Sequence, residues 1–388
     1  MILIKGYDPK IIQIFIDKIA PKCLERVQHL KKIIPLLINY DDDAKTTLMS
    51  DKRTGNWAIV SSLSSVFLVG DLKAIKKHDD LNKIAQKDIH ASLIRFSVEI
   101  ANFLNTEISD SVIRRILEAK PGAQKDLQQE LFLKWDINKE NKGIYYIILH
   151  EIFNYNYIDK PIAYELTFHL GVNTCPYCNR AYINTIQEND KDIIRPTLDH
   201  FLPKSAYPIF AVSFYNLIPS CYYCNSIIKR VLDFDTDTHI HPHSNEYGQD
   251  AYFDFEFEEL HTEIDHPSNY EIVIKPKKGI DSDTNKRLFG DDKKGSITTF
   301  KLEAIYQAHR DVVGELNKKC IKNGEFYLNT IQPFLDLLDT KKEDFFRFHF
   351  HNYYENENLN KRPLSKLTRD IVFKLIPELK ESESEIKL

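Results

Sequence analysis

Apolar residues recur at helical spacing through most of the chain, and strand-like alternation is confined to its middle. Near the start, Asp8-Pro9 has the form of a helix N-terminus, with Asp8 as N-cap and Pro9 at the first helical position. Ile11, Ile12, Phe15, Ile16 and Ile19 then keep one apolar face, and Leu24, Val27, Leu30, Ile33 and Ile34 predict a second helix, ended or kinked at Pro35. After a loop-like stretch from Asp41 to Gly55, helical spacing resumes from Trp57 to Gly70 and again through Ile84, Ile89, Leu93, Phe96, Ile100 and Phe103. Residues 1–160 thus read as a mainly α-helical domain to which the sequence assigns no chemistry. His29, His78, His90 and His150 stand singly in it and read as surface or core histidines.

The pattern changes to period two further on. Ala181 to Ile186 and Ile193 to Leu198 flank a polar turn and predict two antiparallel strands, the second delivering Asp199 and His200 at its end. Phe201 to Ser220 reads as a proline-punctuated loop, and Asn225 to Leu232 as a short helix. Phe253 to Phe257 and Ile272 to Ile274 alternate again, predicting a β-hairpin placed to extend the preceding sheet. Beyond a charged loop, Leu302, Ile305, Tyr306, Val312, Val313, Leu316 and Cys320 predict a long helix; Phe326 to Leu338 and Leu364 to Ile376 predict two more, and Glu378 to Leu388 a frayed tail. The expected organisation is α+β: a helical domain over 1–160, a central module over 161–245, a β-hairpin extension over 246–280 and a helical region over 281–388.

Composition narrows the classes. At 388 residues with 43% hydrophobic content, the chain can build two or three domains with buried cores. A net charge of −5 argues against a generally basic nucleic-acid coat, so any such contact must be local. Four of the six cysteines stand in C-x-x-C pairs, and Cys23 and Cys320 are far apart, which fits a reducing cytoplasm better than a disulfide framework. Met1 to Lys5 does not lead into a secretory signal, and the run from Trp57 to Gly70 falls short of the about 20 residues a bilayer span needs, so no membrane role is expected. There is no internal repeat, P-loop or dinucleotide fingerprint.

The chemistry concentrates between Cys175 and Lys229. Cys175-Pro-Tyr-Cys178 and Cys221-Tyr-Tyr-Cys224 have the spacing of a tetrahedral zinc site, and four thiolates close the coordination sphere, so that zinc would be structural. Asp199 and His200 lie between the knuckles, followed by Asn216, Asn225 and Lys229. Each alone has an ordinary use: Asp199 as a turn residue, Asn216 as an Asx cap, Asn225 as the N-cap of its helix.

Taken together, these residues resemble the HNH endonuclease family, over Cys175 to about Lys229. His200 falls on the family's first His, Asn216 on its Asn and Asn225 on its last His, the HNN form of the motif. The resemblance implies a central ββα-metal, treble-clef-like nuclease module with structural zinc, a catalytic Mg²⁺ or Mn²⁺, and hydrolysis of phosphodiester bonds, in DNA rather than RNA. Asp199 and Asn225 would then ligate the divalent cation, Asn216 would ligate it or orient His200, and His200, an imidazole in neutral form, would take a proton from the attacking water. Lys204, Lys229 and Arg230, with Arg195 just before the site, are the candidate phosphate contacts; each also reads as an ordinary solvated cation. Tyr177, Tyr222 and Tyr223 read as stacking partners for bases or as packing around the zinc. His239, His241 and His243 alternate and could aim two rings at one metal, although several histidines in a polar loop are the commoner case. Tyr306 and Arg310 are similar to a Tyr and Arg that such nucleases carry after the core.

The layout looks like nuclease subunits of bacterial anti-phage systems such as Septu and certain retrons, which implies an ATPase partner. A different class also fits: a non-catalytic zinc-knuckle adaptor that binds nucleic acid or protein. Such an adaptor has no need of the Asp199-His200 pair.

Overall fold

The computed structural model describes residues 2–38, 98–137, 142–188, 191–230, 232, 234–244, 250–259, 261–290, 294–323 and 342–379. The helices expected over Trp57–Gly70 and Phe326–Leu338, the segment from Ile84 to Phe96 and the end of the expected tail lie outside the described residues. By its contacts the chain forms two compact units. One comprises Pro9–Ala163 and Leu202–Leu217; the other comprises Met1–Asp8, Tyr164–Phe201 and Ile218–Leu388.

The first unit is helical. The two helices expected near its start are one 29-residue helix, Lys10–Ile38, that runs through Pro21 and Pro35. A proline inside a helix costs about 3 kcal/mol. Here the buried face is continuous across Pro21, with Phe15, Ile16, Ile19, Cys23, Val27 and Leu30 all inside. At roughly 1.5–3 kcal/mol for each large apolar side chain, that face outweighs the lost backbone bond. Residues 98–106 are helical, and Asp110–Glu118, Ala123–Lys134 and Lys142–Ile152 follow. Trp135 and Tyr145 meet Phe103 edge-on, with ring centroids 5.2 and 5.0 Å away. The segment Leu202–Leu217, part of the stretch expected as a proline-punctuated loop, belongs to this unit. It forms two 3₁₀ turns, Pro208–Phe210 and Phe214–Asn216, every residue of which is buried. Phe214 packs edge-on to Phe15, and Ser213 Oγ donates to Leu117 O at 3.1 Å.

The second unit carries three two-stranded sheets. β1 (Ile186–Glu188) pairs antiparallel with β2 (Lys191–Ile194), β3 (Thr197–His200) lies beside β4 (Leu217–Ser220), and β5 (Ala251–Phe257) pairs antiparallel with β6 (Tyr270–Pro276). The single strand expected from Ile193 to Leu198 is thus split at Arg195-Pro196. Proline cannot donate to a ladder, and β2 and β3 take different partners on either side of it. The β5–β6 hairpin is a sheet of its own and does not extend β3–β4. Phe253 and Phe255, opposite Ile274 and Ile272, form its buried face.

Helix Ser365–Leu375 packs on that hairpin with three buried charged residues. Lys366 Nζ donates to Asp370 Oδ2 at 2.8 Å and to Ala251 O at 2.7 Å, Arg369 Nε to Asp370 Oδ1 at 2.9 Å, and the Phe253 N–H also reaches Asp370. Buried charges are tolerated when paired in this way. The long helix expected over 302–320 is three pieces: Leu302–Tyr306, the 3₁₀ turn Gln307–His309 and Arg310–Asn323. The architecture is α+β, mixed helix with small sheets, and no helix of the described residues is long and apolar enough to cross a membrane.

Candidate functional site

Two backbone knuckles gather the four cysteines. In the first, Thr174 and Tyr182 form an antiparallel bridge, the Cys175 N–H donates to Ala181 O at 3.0 Å, and Asn179, at φ 51°, turns the chain with its N–H on Cys175 O. In the second, the chain leaves β4 at Ser220 and winds into a π-helix, Tyr223–Lys229. All four cysteines are buried, and their sulfurs lie within 4.8 Å of one another. Zinc–sulfur bonds of about 2.3 Å arranged tetrahedrally separate the sulfurs by about 3.8 Å, so this set fits zinc. Backbone N–H groups of Arg180 and Cys224 point at the sulfurs of Cys178 and Cys221, each at 3.4 Å, as thiolates require. Hydrogen bonding within the cluster, that from Cys175 first, holds the Cys178 and Cys221 thiols below the ordinary thiol range, whereas burial raises Cys175 and the bond with Cys175 raises Cys224. A zinc ion held here would take all four as thiolates and contribute folding energy. Among the described residues this is the only group of three or more potential His, Cys, Asp or Glu ligands.

The first knuckle is anchored from later in the chain. Asn179 Nδ2 donates to Thr174 Oγ1 and Leu359 O, its Oδ1 accepts from the Lys366 N–H, and its carbonyl accepts from the Leu364 N–H at 2.7 Å. Tyr306, wholly buried, donates its hydroxyl to Cys178 O at 2.6 Å, and Arg180 lies over the Tyr306 ring and donates to His309 Nε2 at 2.7 Å. Arg310 pairs instead with Glu258, at 2.9 Å.

Asp199 and His200 end β3. Asp199 is buried and its carboxylate is fully engaged: Lys229 Nζ donates to Oδ1 at 2.9 Å and Oδ2 at 2.8 Å, and Tyr177 OH donates to Oδ2 at 2.6 Å. Lys229 also donates to the carbonyl oxygen of His200, and its ammonium sits 4.8 Å from the Phe234 ring centroid. Burial pulls the Lys229 pKa down, opposed by the charge of Asp199. The π-helix explains how Lys229 reaches this place: with i→i+5 bonding, Cys224 and Lys229 both face inward, while Tyr222, Tyr223 and Ile227 remain exposed. His200 is half-buried, as is Asn225.

Lys229 is therefore not the solvated phosphate contact expected from the sequence. Its ammonium fills a cradle of three oxygens, Asp199 Oδ1 and Oδ2 and His200 O, a donor set of the kind hard cations prefer. As arranged, these residues leave a divalent cation no place on Asp199.

The other expected site residues fall as follows. Asn216 is buried in the helical unit, where its Oδ1 accepts from the Leu202 N–H at 2.7 Å and its Nδ2 donates to Leu202 O and Phe210 O at 3.1 and 2.9 Å. These bonds close the segment 202–216. Lys204, also in that unit, lies 5.9 Å from the Tyr155 ring. Arg230 is exposed and ends the π-helix at φ 49°. His239 stacks on Phe234 and meets the hydroxyls of Thr238 and Thr299 at 2.8 and 3.1 Å, and burial lowers its pKa to about 4. His241 packs on Phe201, and burial lowers His243 to about 3. His239 and His241 are core histidines, and His243 is half-buried beside them. Tyr177 stacks on Phe300 at 4.4 Å, whereas Tyr222 and Tyr223 face solvent.

No protein-family model matches the chain, and neither does any curated protein or solved structure.

Proposed function

We propose that the chain is an HNH-type endonuclease built on a structural zinc centre. One observation carries this reading: the buried Cys₄ cluster is interrupted by β3, which ends in Asp199-His200, and its last cysteine opens the π-helix bearing Asn225, with Lys229 joining the two elements. In this reading His200 accepts a proton from water as the water oxygen attacks phosphorus, and the bond from phosphorus to the leaving 3′ oxygen breaks. Lys229 and Tyr177 hold β3 so that the His200 backbone is fixed at a half-buried position. Asn225, half-buried on the π-helix, would be the residue to hold a divalent cation, which would supply counter-charge for the phosphate. DNA is the expected substrate, and an ATPase partner is a further part of the proposal, tested by copurification from the native host.

The engaged Asp199 favours a second reading, a zinc-knuckle module that binds nucleic acid or protein without cutting, since burial with Lys229 gives the carboxylate a structural use. Cleavage assays decide between them. The zinc-loaded protein is incubated with plasmid, single-stranded DNA and tRNA, with and without Mg²⁺ or Mn²⁺. Cation-dependent cutting that disappears in His200→Ala supports the nuclease, and binding without cutting under every cation condition supports the module.

A further inference from the structure

A surface cavity of about 400 Å³ opens beside the second knuckle. Tyr182, Tyr222 and Tyr223 line it, 61, 61 and 67% exposed, together with Asn184 and Arg195. The two knuckle tyrosines lie edge to face, with centroids 6.3 Å apart. Single exposed apolar side chains need no explanation, but a contiguous cluster of aromatic rings around one cavity marks a binding surface. Packing in the interior does not account for it: Tyr177, the tyrosine of the first knuckle, is buried, whereas these rings are exposed.

The lining has a charge character of its own. Among the described residues that line it, Arg195 is the only cation and there is no carboxylate, although the chain as a whole carries −5. The Arg195 guanidinium is held in place, donating to Pro196 O at 2.8 Å and lying 5.8 Å from the Tyr164 ring centroid. Rings flanked by a fixed cation are the components of a single-strand nucleic-acid site: bases stack on the aromatics and the phosphates take the positive charge. In a duplex the bases already stack on each other, so only an unpaired segment can use such rings. The cavity is also continuous with the proposed catalytic elements. Thr197, at its edge, starts the strand that ends in His200, about 10 Å along β3, and Cys221 to Tyr223 lead into the helix bearing Asn225.

We propose that Tyr182, Tyr222 and Tyr223 form a base-stacking platform that holds a single-stranded segment of nucleic acid, with Arg195 on its backbone. The placement of this platform as a substrate site rests on the nuclease reading; the binding itself does not.

The test measures fluorescence anisotropy of labelled single-stranded DNA, the matching RNA and the duplex against the full-length zinc-loaded protein, at fixed low salt without added Mg²⁺. Both knuckle rings are exposed, so Tyr222→Ala/Tyr223→Ala should fold and keep its zinc, which metal analysis and circular dichroism verify. The alanine pair should bind a single strand roughly 5- to 150-fold more weakly for each base that loses its ring. Tyr222→Phe/Tyr223→Phe, which keeps the rings, should bind like the unaltered protein, and affinity for the duplex should not change in either variant. Single-strand affinity unchanged in the alanine pair overturns the platform. So does an equal loss in the phenylalanine pair, or an unaltered protein that binds no nucleic acid and engages a protein partner through these tyrosines. Cleavage is followed on the same strands: tyrosine-dependent binding without cutting removes the nuclease reading and leaves the platform, and cutting with tyrosine-independent binding does the reverse.

Discussion

Lys229 Nζ lies 2.9 Å from Oδ1 and 2.8 Å from Oδ2 of Asp199, thirty residues earlier, and both side chains are almost wholly withdrawn from water. Removing two charges from solvent is costly, and here the cost is offset by their mutual attraction and by the Tyr177 hydroxyl and His200 carbonyl that complete their bonding. The pair ties β3 to the π-helix independently of the zinc. The cysteine cluster brings the π-helix to the first knuckle, and this ion pair brings it to β3.

Breaking the pair from one side should be worse than removing it entirely. Lys229→Met leaves the Asp199 carboxylate buried and uncompensated, and should destabilise the unit by about 3–5 kcal/mol. Adding Asp199→Asn removes that charge and should recover a large part of the loss. Chemical denaturation of the two single variants and the double variant measures the coupling, and simply additive losses would exclude it.

Zinc should be inseparable from the fold of this unit. Cys224→Ser leaves three sulfurs and should lose the metal, the solubility and the near-ultraviolet signature of packed tyrosines together, because metal-binding energy is folding energy in such sites. Metal analysis of the unaltered protein should find one tightly held zinc per chain. A Cys224→Ser protein that stays folded without metal would show that the four buried cysteines pack as hydrophobes.

What was legible in the sequence depended on how local its cause is. The C-x-x-C spacings announce the cysteine cluster because short-range geometry sets each knuckle, and the partner pair has little else to do with buried thiols. Helical periodicity located Lys10–Ile38 but split it, since a proline signals a break locally while the buried face that overrides it is a tertiary fact. Pro196 carries the opposite information: it ends β2 and frees Thr197–His200 to take another partner. The role of Lys229 was hidden because a lysine after a knuckle looks like any solvated cation. Its five-residue distance from Cys224 is the one available signal, and it has meaning only if the helix is π. Asn179 and Tyr306, which brace the first knuckle, could not be paired with their partners more than a hundred residues away by any pattern in the chain.

The buried histidines make stability depend on pH. Burial lowers the folded-state pKa of His239 to about 4, with Asp235 pulling it up and Lys229 down, against about 6.5 for an unfolded histidine. Between those values the unfolded chain binds the proton and the folded chain does not, so stability rises with pH through this window and is lost as pH falls from about 6.5 to about 4. The share of His239 is about 3 kcal/mol at neutral pH, and His243, lowered to about 3, acts in the same direction. Melting temperatures measured across this range should fall steeply on the acid side, and His239→Asn should flatten the slope. An unchanged slope would mean that His239 binds its proton equally in the folded and unfolded chain.

The decisive variant for the chemistry is His200→Ala. Its backbone carbonyl accepts from Lys229, a bond any residue can make, so alanine should leave the Asp199–Lys229 pair, the zinc and the fold in place. If the ring is the general base, cleavage should fall by about 10²- to 10⁴-fold while binding of nucleic acid is kept. In that case the unaltered protein should cut faster as pH rises through the range where an imidazole loses its proton, and the alanine variant should lose that dependence. Asn225→Ala separates the two parts of the site: it changes no residue of the Cys₄ cluster, and a rate loss relieved by excess Mn²⁺ would assign it to cation binding. Cleavage by His200→Ala at the unaltered rate would remove the base from the mechanism and leave the zinc centre as a scaffold for binding alone.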